Sequence, residues 1–222
     1  MPYRPDPTEM FETRRSVRMT KGEWAALERV SERRHEWVGR QPSGYDDDGV
    51  VGEARPKDGY FEDGERASST YRHATLVTEL AGLLHRQVDR DRFDFTIYGL
   101  AVRVPAGSYY YPDLSLVPRP VRLERHPAGD NDFVLNPSVL IEIVAPPTAE
   151  TDRVEKRAAY LTIWTATDYL LIDQDSPHVT HLRRRGDRWD EAVREGPGAA
   201  VELAAPAVRL TLAQIYARVF PA

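Results

Sequence analysis

The chain has 222 residues, 41% of them hydrophobic, with no cysteine and with 30 basic against 35 acidic side chains, a net charge of −5. That length suits one sizeable domain, and the lack of Cys excludes disulfides, zinc–thiolate and iron–sulfur centres and cysteine nucleophiles. The acid excess is local: residues 41–63 carry seven acidic and two basic side chains, so bulk charge does not point to broad nucleic-acid binding, although a local basic groove stays open.

In chain order, residues 1–19 read as a tail, and Thr20-Lys21-Gly22-Glu23 is a capping-box pattern. It predicts a short helix with Trp24, Leu27 and Val30 on one side, followed by a strand ending at Trp37-Val38. Residues 39–68, rich in Gly, Asp and Pro, are expected to form an exposed acidic insertion holding at most a weak hairpin. Within it Asp46-Asp47-Asp48 reads as a solvated run, because it lacks the spaced ligands of a calcium loop.

Tyr71 to Arg90 predicts a strong helix. Leu76, Val77, Leu80, Leu83, Leu84 and Val88 recur with helical period, and His73 lies on the same stripe. Strands are predicted over 93–104, with a bend at Gly99, over 109–117 and over 139–145, the last two separated by a polar loop. A helix over 151–164, capped by Thr151 or Asp152, is expected to face Val154, Ala158, Leu161 and Ile163 inward. A buried strand follows at 169–172, so residues 71–173 give the order α-β-β-β-α-β. A hairpin around Arg185-Gly186-Asp187-Arg188, a short strand at 201–203 and a terminal helix near 212–219 make up residues 174–222. His178 and His181 read as surface strand residues. The simplest organisation is one domain over 1–222. No apolar run nears the roughly 20 residues of a membrane helix, and the N-terminal residues have no apolar leader segment. These features predict a soluble, cytoplasmic protein.

The chemistry concentrates on Glu142, at the centre of Val139-Leu140-Ile141-Glu142-Ile143-Val144, where both strand faces are apolar. A buried carboxylate there needs a cation, a core Arg or Lys, or a proton. Asp113, in Tyr111-Pro112-Asp113 before Leu114-Ser115-Leu116-Val117, poses the same question. Two neighbouring strands could bring both acids to one divalent ion, and an all-oxygen set suits Mg²⁺ or Mn²⁺. Lys156, one of three lysines, is the candidate cation beside them. Arg183, Arg184, Arg185 and Arg188 could meet phosphates or serve only as a soluble hairpin tip. Tyr109, Tyr110 and Tyr111 could stack bases or pack.

Together, Tyr111-Pro112-Asp113, Ile141-Glu142-Ile143-Val144 and Asp152-Arg153-Val154-Glu155-Lys156 resemble the Uma-type restriction endonucleases of the PD-(D/E)xK nuclease superfamily. His73 before an apolar helix, Asp168-Tyr169-Leu170-Leu171-Ile172-Asp173 and Leu210-Thr211-Leu212 fit the same pattern. The resemblance implies an α/β fold with a restriction-endonuclease-like mixed central sheet flanked by helices. It implies an endonuclease acting on DNA with Mg²⁺ (or Mn²⁺), with Asp113, Glu142 and Ile143 as the metal site. Lys156 would be the catalytic cation and His73 the helix-opening histidine of the catalytic set. Restriction-type nucleases cut two strands with two sites, which implies a homodimer. Three positions depart from the pattern: Val144 stands where a Lys is usual, Ala145-Pro146-Pro147-Thr148 replaces a Ser-Pro loop, and His35-Glu36-Trp37-Val38-Gly39 lacks an expected Asp. A catalytically inactive binding or oligomeric module and a hydrolase of other phosphate esters are the alternative readings.

Overall fold

The computed structural model describes residues 16–30, 35–39, 51–56, 70–125, 132–146, 148–196 and 198–220. Asp46-Asp47-Asp48 lies outside them. Among the described residues no helix is long and apolar enough to cross a membrane.

The N-terminal part builds one side of a seven-stranded sheet. Its members are β1 (Val17–Thr20), β2 (His35–Val38), β3 (Val51–Pro56), β5 (Ala101–Arg103), β6 (Tyr109–Tyr110), β8 (Leu123–Arg125) and β9 (Asp132–Val134), in the order β1-β3-β2-β6-β5-β9-β8. Helix α1 (Lys21–Val30) starts at the expected capping box: Thr20 N–H donates to Glu23 Oε2 at 2.9 Å, and Glu23 N–H donates to Thr20 Oγ1 at 3.2 Å. Its Trp24 and Leu27 are buried with Trp37, Tyr109 and Phe133. Residues 51–56, inside the expected exposed insertion, form a strand paired to both β1 and β2. A Cβ at Gly52 would meet the Trp37 ring at 2.5 Å, so only glycine lets β3 pass this close. The polar loop expected between the last two core strands contains β8 and β9. Both are three residues long, and β8 is polar and largely solvent-facing, which leaves no alternation to read.

The second sheet has six strands in the order β13-β12-β11-β10-β7-β4. These are β4 (Phe93–Ile97), β7 (Leu114–Pro118), β10 (Val139–Val144), β11 (Asp168–Asp173), β12 (His178–Arg185) and β13 (Arg188–Glu195). Strand β10 is buried along its whole length, antiparallel to β7 and parallel to β11. Helix α2 (Tyr71–Gln87), capped by Thr70, lays Leu76, Leu80 and Leu84 on one face of this sheet. A two-stranded ribbon, β14 (Ala200–Glu202) with β15 (Arg209–Thr211), and helix α4 (Leu212–Ile215) cover the same core. The α-β-β-β-α-β order is therefore present as α2, β4, β7, β10, the 151–160 helix and β11.

That last helix differs from expectation. It is a π-helical turn, Thr151–Lys156, running into α3 (Arg157–Tyr160), and no side chain caps it. Val154 is 64% exposed and Ala158 is also exposed, whereas Asp152, Lys156 and Tyr160 face inward. The apolar stripe expected there loses to a polar one because the helix packs over buried carboxylates. Ile163 alone of the four predicted contacts is fully buried.

Candidate active site

Strand pairing sets the two acids side by side. Ile141 of β10 lies opposite Leu114 of β7, so Asp113, just before Leu114, comes level with Glu142 and the peptide after it. Asp113 Oδ2 accepts the Ile143 N–H at 2.7 Å. Both carboxylates are buried, Asp113 at 2% and Glu142 at 1% exposure.

Lys156 completes the group. Its Nζ lies 3.1 Å from Glu142 Oε1, 2.9 Å from Glu36 Oε1 and 3.2 Å from Asp152 Oδ1. Burial alone would depress the ammonium, but Glu142, Glu36 and Asp152 outweigh it and hold the group well above its usual pKa. Lys156 is thus a charged, enclosed cation and not a solvated member of Glu155-Lys156-Arg157.

Tyrosines line the cluster. Tyr160 OH donates to Glu142 Oε1 at 2.9 Å, and Tyr169 OH donates to the Asp152 carbonyl at 3.0 Å. Burial first, and then the Glu142 charge, push both phenols well above their usual pKa, so both stay protonated donors. Tyr169 senses Glu142, Asp152, Lys156 and Asp113 together, which marks them as one electrostatic unit.

His73 enters from the opposite side. Its N–H is held by Thr70 Oγ1 at 3.1 Å in the first turn of α2. Its Nε2 lies 3.2 Å from Asp113 Oδ2, and its Nδ1 2.7 Å from Tyr98 OH. Tyr98 has φ +51°, a left-handed backbone at the bend foreseen next to Gly99. Its N–H bonds the Asp113 carbonyl at 3.1 Å, tying this strained turn to the site.

An outer layer follows. Arg55 on β3 lies 3.7 Å from Glu36 and grips Glu155, donating from Nη1 to Oε2 at 2.7 Å. Tyr110 OH also donates to Glu155, at 2.8 Å. Burial lowers the Arg55 pKa, but its bond to Glu155 and the charge of Glu36 raise it further.

Asp113, Glu142, Ile143, Lys156 and His73, all singled out in the sequence, therefore converge. Glu36, Asp152, Tyr160, Tyr98 and Arg55 join them and were not predicted as site residues. Asp152, Lys156 and Tyr160 were findable: acid, lysine and tyrosine recur at intervals of four residues along one helical face. Glu36 and Arg55 reach the cluster only through long-range pairing. His181, expected on the surface, is instead 4% exposed, with Nε2 2.7 Å from Asp168 Oδ1. Tyr109, Tyr110 and Tyr111 are all buried, with their hydroxyls donating to Glu124, Glu155 and Glu28.

Among the described residues no three His, Asp or Glu side chains converge as a metal-binding group. The expected set needs only two carboxylates with a main-chain carbonyl. Three buried carboxylates, Glu36, Glu142 and Asp152, surround the buried Lys156 ammonium, and Asp113 lies level with Glu142 on the neighbouring strand. That all-oxygen donor set fits a hard cation.

The layered mixed sheet, with acids on neighbouring central strands and a lysine from the following helix, defines a restriction-endonuclease-like α/β protein. The family model of Uma2, described as "Putative restriction endonuclease", matches residues 62–213, and the chain belongs to that family. A protein of Synechocystis sp. (strain ATCC 27184 / PCC 6803 / Kazusa), "Uncharacterized protein sll1609", is 29% identical over 140 residues, covering 61% of this chain and 76% of that one. The fold matches the crystal structure of "a putative nuclease belonging to DUF820 from Anabaena variabilis ATCC 29413" with a TM-score of 0.57. That match has 20% identity and covers 72% of this chain and 90% of the other.

Proposed function

We propose that the protein is a Mg²⁺- or Mn²⁺-dependent endonuclease that hydrolyses DNA phosphodiester bonds at the Asp113–Glu142–Lys156 cluster. The observation that carries this reading is the buried Lys156 ammonium 3.1 Å from Glu142, with Asp113 bonded to the adjoining peptide. The family description and the nuclease named for the Anabaena structure support it. Asp113, Glu142 and the Ile143 carbonyl would hold the metal. Bound there, it supplies a lowered pKa for a coordinated water and neutralises charge on a phosphate oxygen.

The chain's own residues do the rest. Glu36 and Asp152 keep Lys156 charged and fix its position, so its ammonium offers preorganised positive charge where a phosphorane-like state gathers negative charge. Its three N–H groups meet three carboxylates, so contact with a substrate oxygen requires exchange of one of them. His73, tethered to Tyr98, orients the Asp113 carboxylate. Two copies with one site each would cut both strands, so a homodimer is part of the proposal.

Plasmid nicking in Mg²⁺ or Mn²⁺ tests it. The parent should nick, and Asp113→Ala and Glu142→Ala should each abolish nicking. Cleavage insensitive to both substitutions, or none across metals and substrates, sinks the reading.

The saturation of Lys156 by internal carboxylates, with Val144 at the usual Lys position, favours a second reading: a catalytically inactive module. Calorimetry with Mn²⁺ separates the two, because such a module takes up no divalent ion that depends on Asp113 and Glu142.

A further inference from the structure

On β10, Leu140, Glu142 and Val144 face one side of the six-stranded sheet; Leu140 and Val144 pack there with Tyr169, Leu171 and Leu182. In register Leu140 pairs with Tyr169, and Tyr169 with Leu182. His181, the neighbour of Leu182, therefore faces the other side, opposite Leu170 of the α2-side core. Arg183 and Arg185 continue that face along β12.

A cavity of about 430 Å³ opens here, between the β12–β13 hairpin and the β14–β15 ribbon. Arg183, Arg185, Arg194 and Arg209 line it around His181, with Asp190 and Glu202 as the acids. Its guanidinium groups are held loosely. Arg183 is 3.9 Å from Asp168, Arg185 3.9 Å from Asp190 and Arg209 3.6 Å from Glu202. Elsewhere Arg157–Glu191 and Arg103–Glu124 close to 2.6 Å. Arg194 bonds only main-chain carbonyls among the described residues.

The floor is built differently. Asp168, fully buried, accepts from Thr167 Oγ1 at 2.8 Å and from the Ala204 N–H at 3.0 Å. It also holds His181 Nε2 at 2.7 Å. Among the described residues His181 Nδ1 makes no hydrogen bond, so a fixed imidazole presents its second nitrogen to an arginine-lined cavity. Arg forks match phosphate oxygens in pairs, and the volume lies in the range of small-molecule sites.

We infer that this groove is a second, non-catalytic anion site that takes phosphate esters, from either a compact phosphorylated ligand or the backbone of a nucleic-acid strand. It lies across the sheet from Glu142 and does not depend on cleavage.

The test is calorimetry on the full chain in EDTA, with inorganic pyrophosphate as one probe and a short DNA duplex as the other. Pyrophosphate binding assigns a compact ligand, and duplex binding assigns strand backbone. In either arm Arg183→Gln/Arg209→Gln should weaken binding about tenfold or more. Arg86→Gln, exposed on α2 and outside the cavity, should bind as the parent does. If the double glutamine variant loses its native circular dichroism, Arg183→Lys/Arg209→Lys keeps the charge while removing the fork, and should still weaken binding. Absence of saturable binding in both arms, or binding that the arginine variants leave unchanged, overturns the inference. Plasmid nicking by the parent is a separate readout, so either proposal can fail without the other.

Discussion

The Lys156 ammonium lies 3.1 Å from Glu142 Oε1, with the two side chains 3% and 1% exposed. Lys156→Met removes the shared partner of Glu142, Glu36 and Asp152 and strands their charges. Loss of one member of a buried pair costs about 3–5 kcal/mol. Urea denaturation should show that loss, and nicking should fall by roughly a hundredfold or more. A variant as stable as the parent would contradict the shared-cation geometry.

Alkaline behaviour follows from the same group. The folded pKa of Lys156 lies well above 10.5, so its contribution is complete below about pH 10.5 and fades as pH climbs toward the folded value. Tyr160 and Tyr169, raised above 10.0 by burial and Glu142, act in the same direction. The gap in Tm between parent and Lys156→Met should therefore hold through neutral pH and narrow only above about pH 10.5. A gap already closing near pH 8 means that burial, not the carboxylates, governs the lysine.

Acid acts through different residues. Burial pushes the Glu155 and Glu124 carboxyls up, but Arg55 on the first and Lys21 on the second overcome it and hold both below 4.5. Their contribution is present above that value and is lost as pH falls through the folded pKa values. Arg55→Met should lower Tm near neutral pH, and its gap to the parent should close as pH falls below about 4.5, leaving the variant with a shallower acid limb in a Tm-against-pH series.

Glu36 bonds Lys156 at 2.9 Å from outside the six-stranded sheet. Glu36→Gln keeps the shape and removes one charge, so Lys156 should stay folded in place with weaker support. Supporting partners of this kind typically cost about 10–100-fold in activity when lost. Rates should fall in that range while Mn²⁺ binding by calorimetry stays close to the parent's; an unchanged rate makes Glu36 purely structural.

Tyr98→Phe deletes the hydroxyl 2.7 Å from His73 Nδ1 and nothing else. The stability change should stay near 1 kcal/mol. The nicking rate should fall severalfold, because the imidazole that contacts Asp113 loses its Tyr98 tether. An unchanged rate would assign Tyr98 to packing alone.

The sequence by itself determined the core of this protein. A charged residue inside an all-apolar strand marked Glu142 as a buried carboxylate in need of a partner, and the helical and strand periods gave α2, β10, β11 and the hairpin close to their observed limits. Those signals are local: burial and period are written in neighbouring residues. Only tertiary structure decided the rest. Glu36 reaches Lys156, and Arg55 reaches Glu36 and Glu155, through β2 and β3, whose partners lie far away in sequence and whose short segments carry no clear alternation. The helix after β10 turns Asp152, Lys156 and Tyr160 inward and leaves Val154 in solvent, because ion pairing over a buried acid cluster outweighs the few apolar contacts that its sequence advertises. The place of His181, buried over Asp168, depended in the same way on a ribbon, β14–β15, folded over the sheet from the chain's far end.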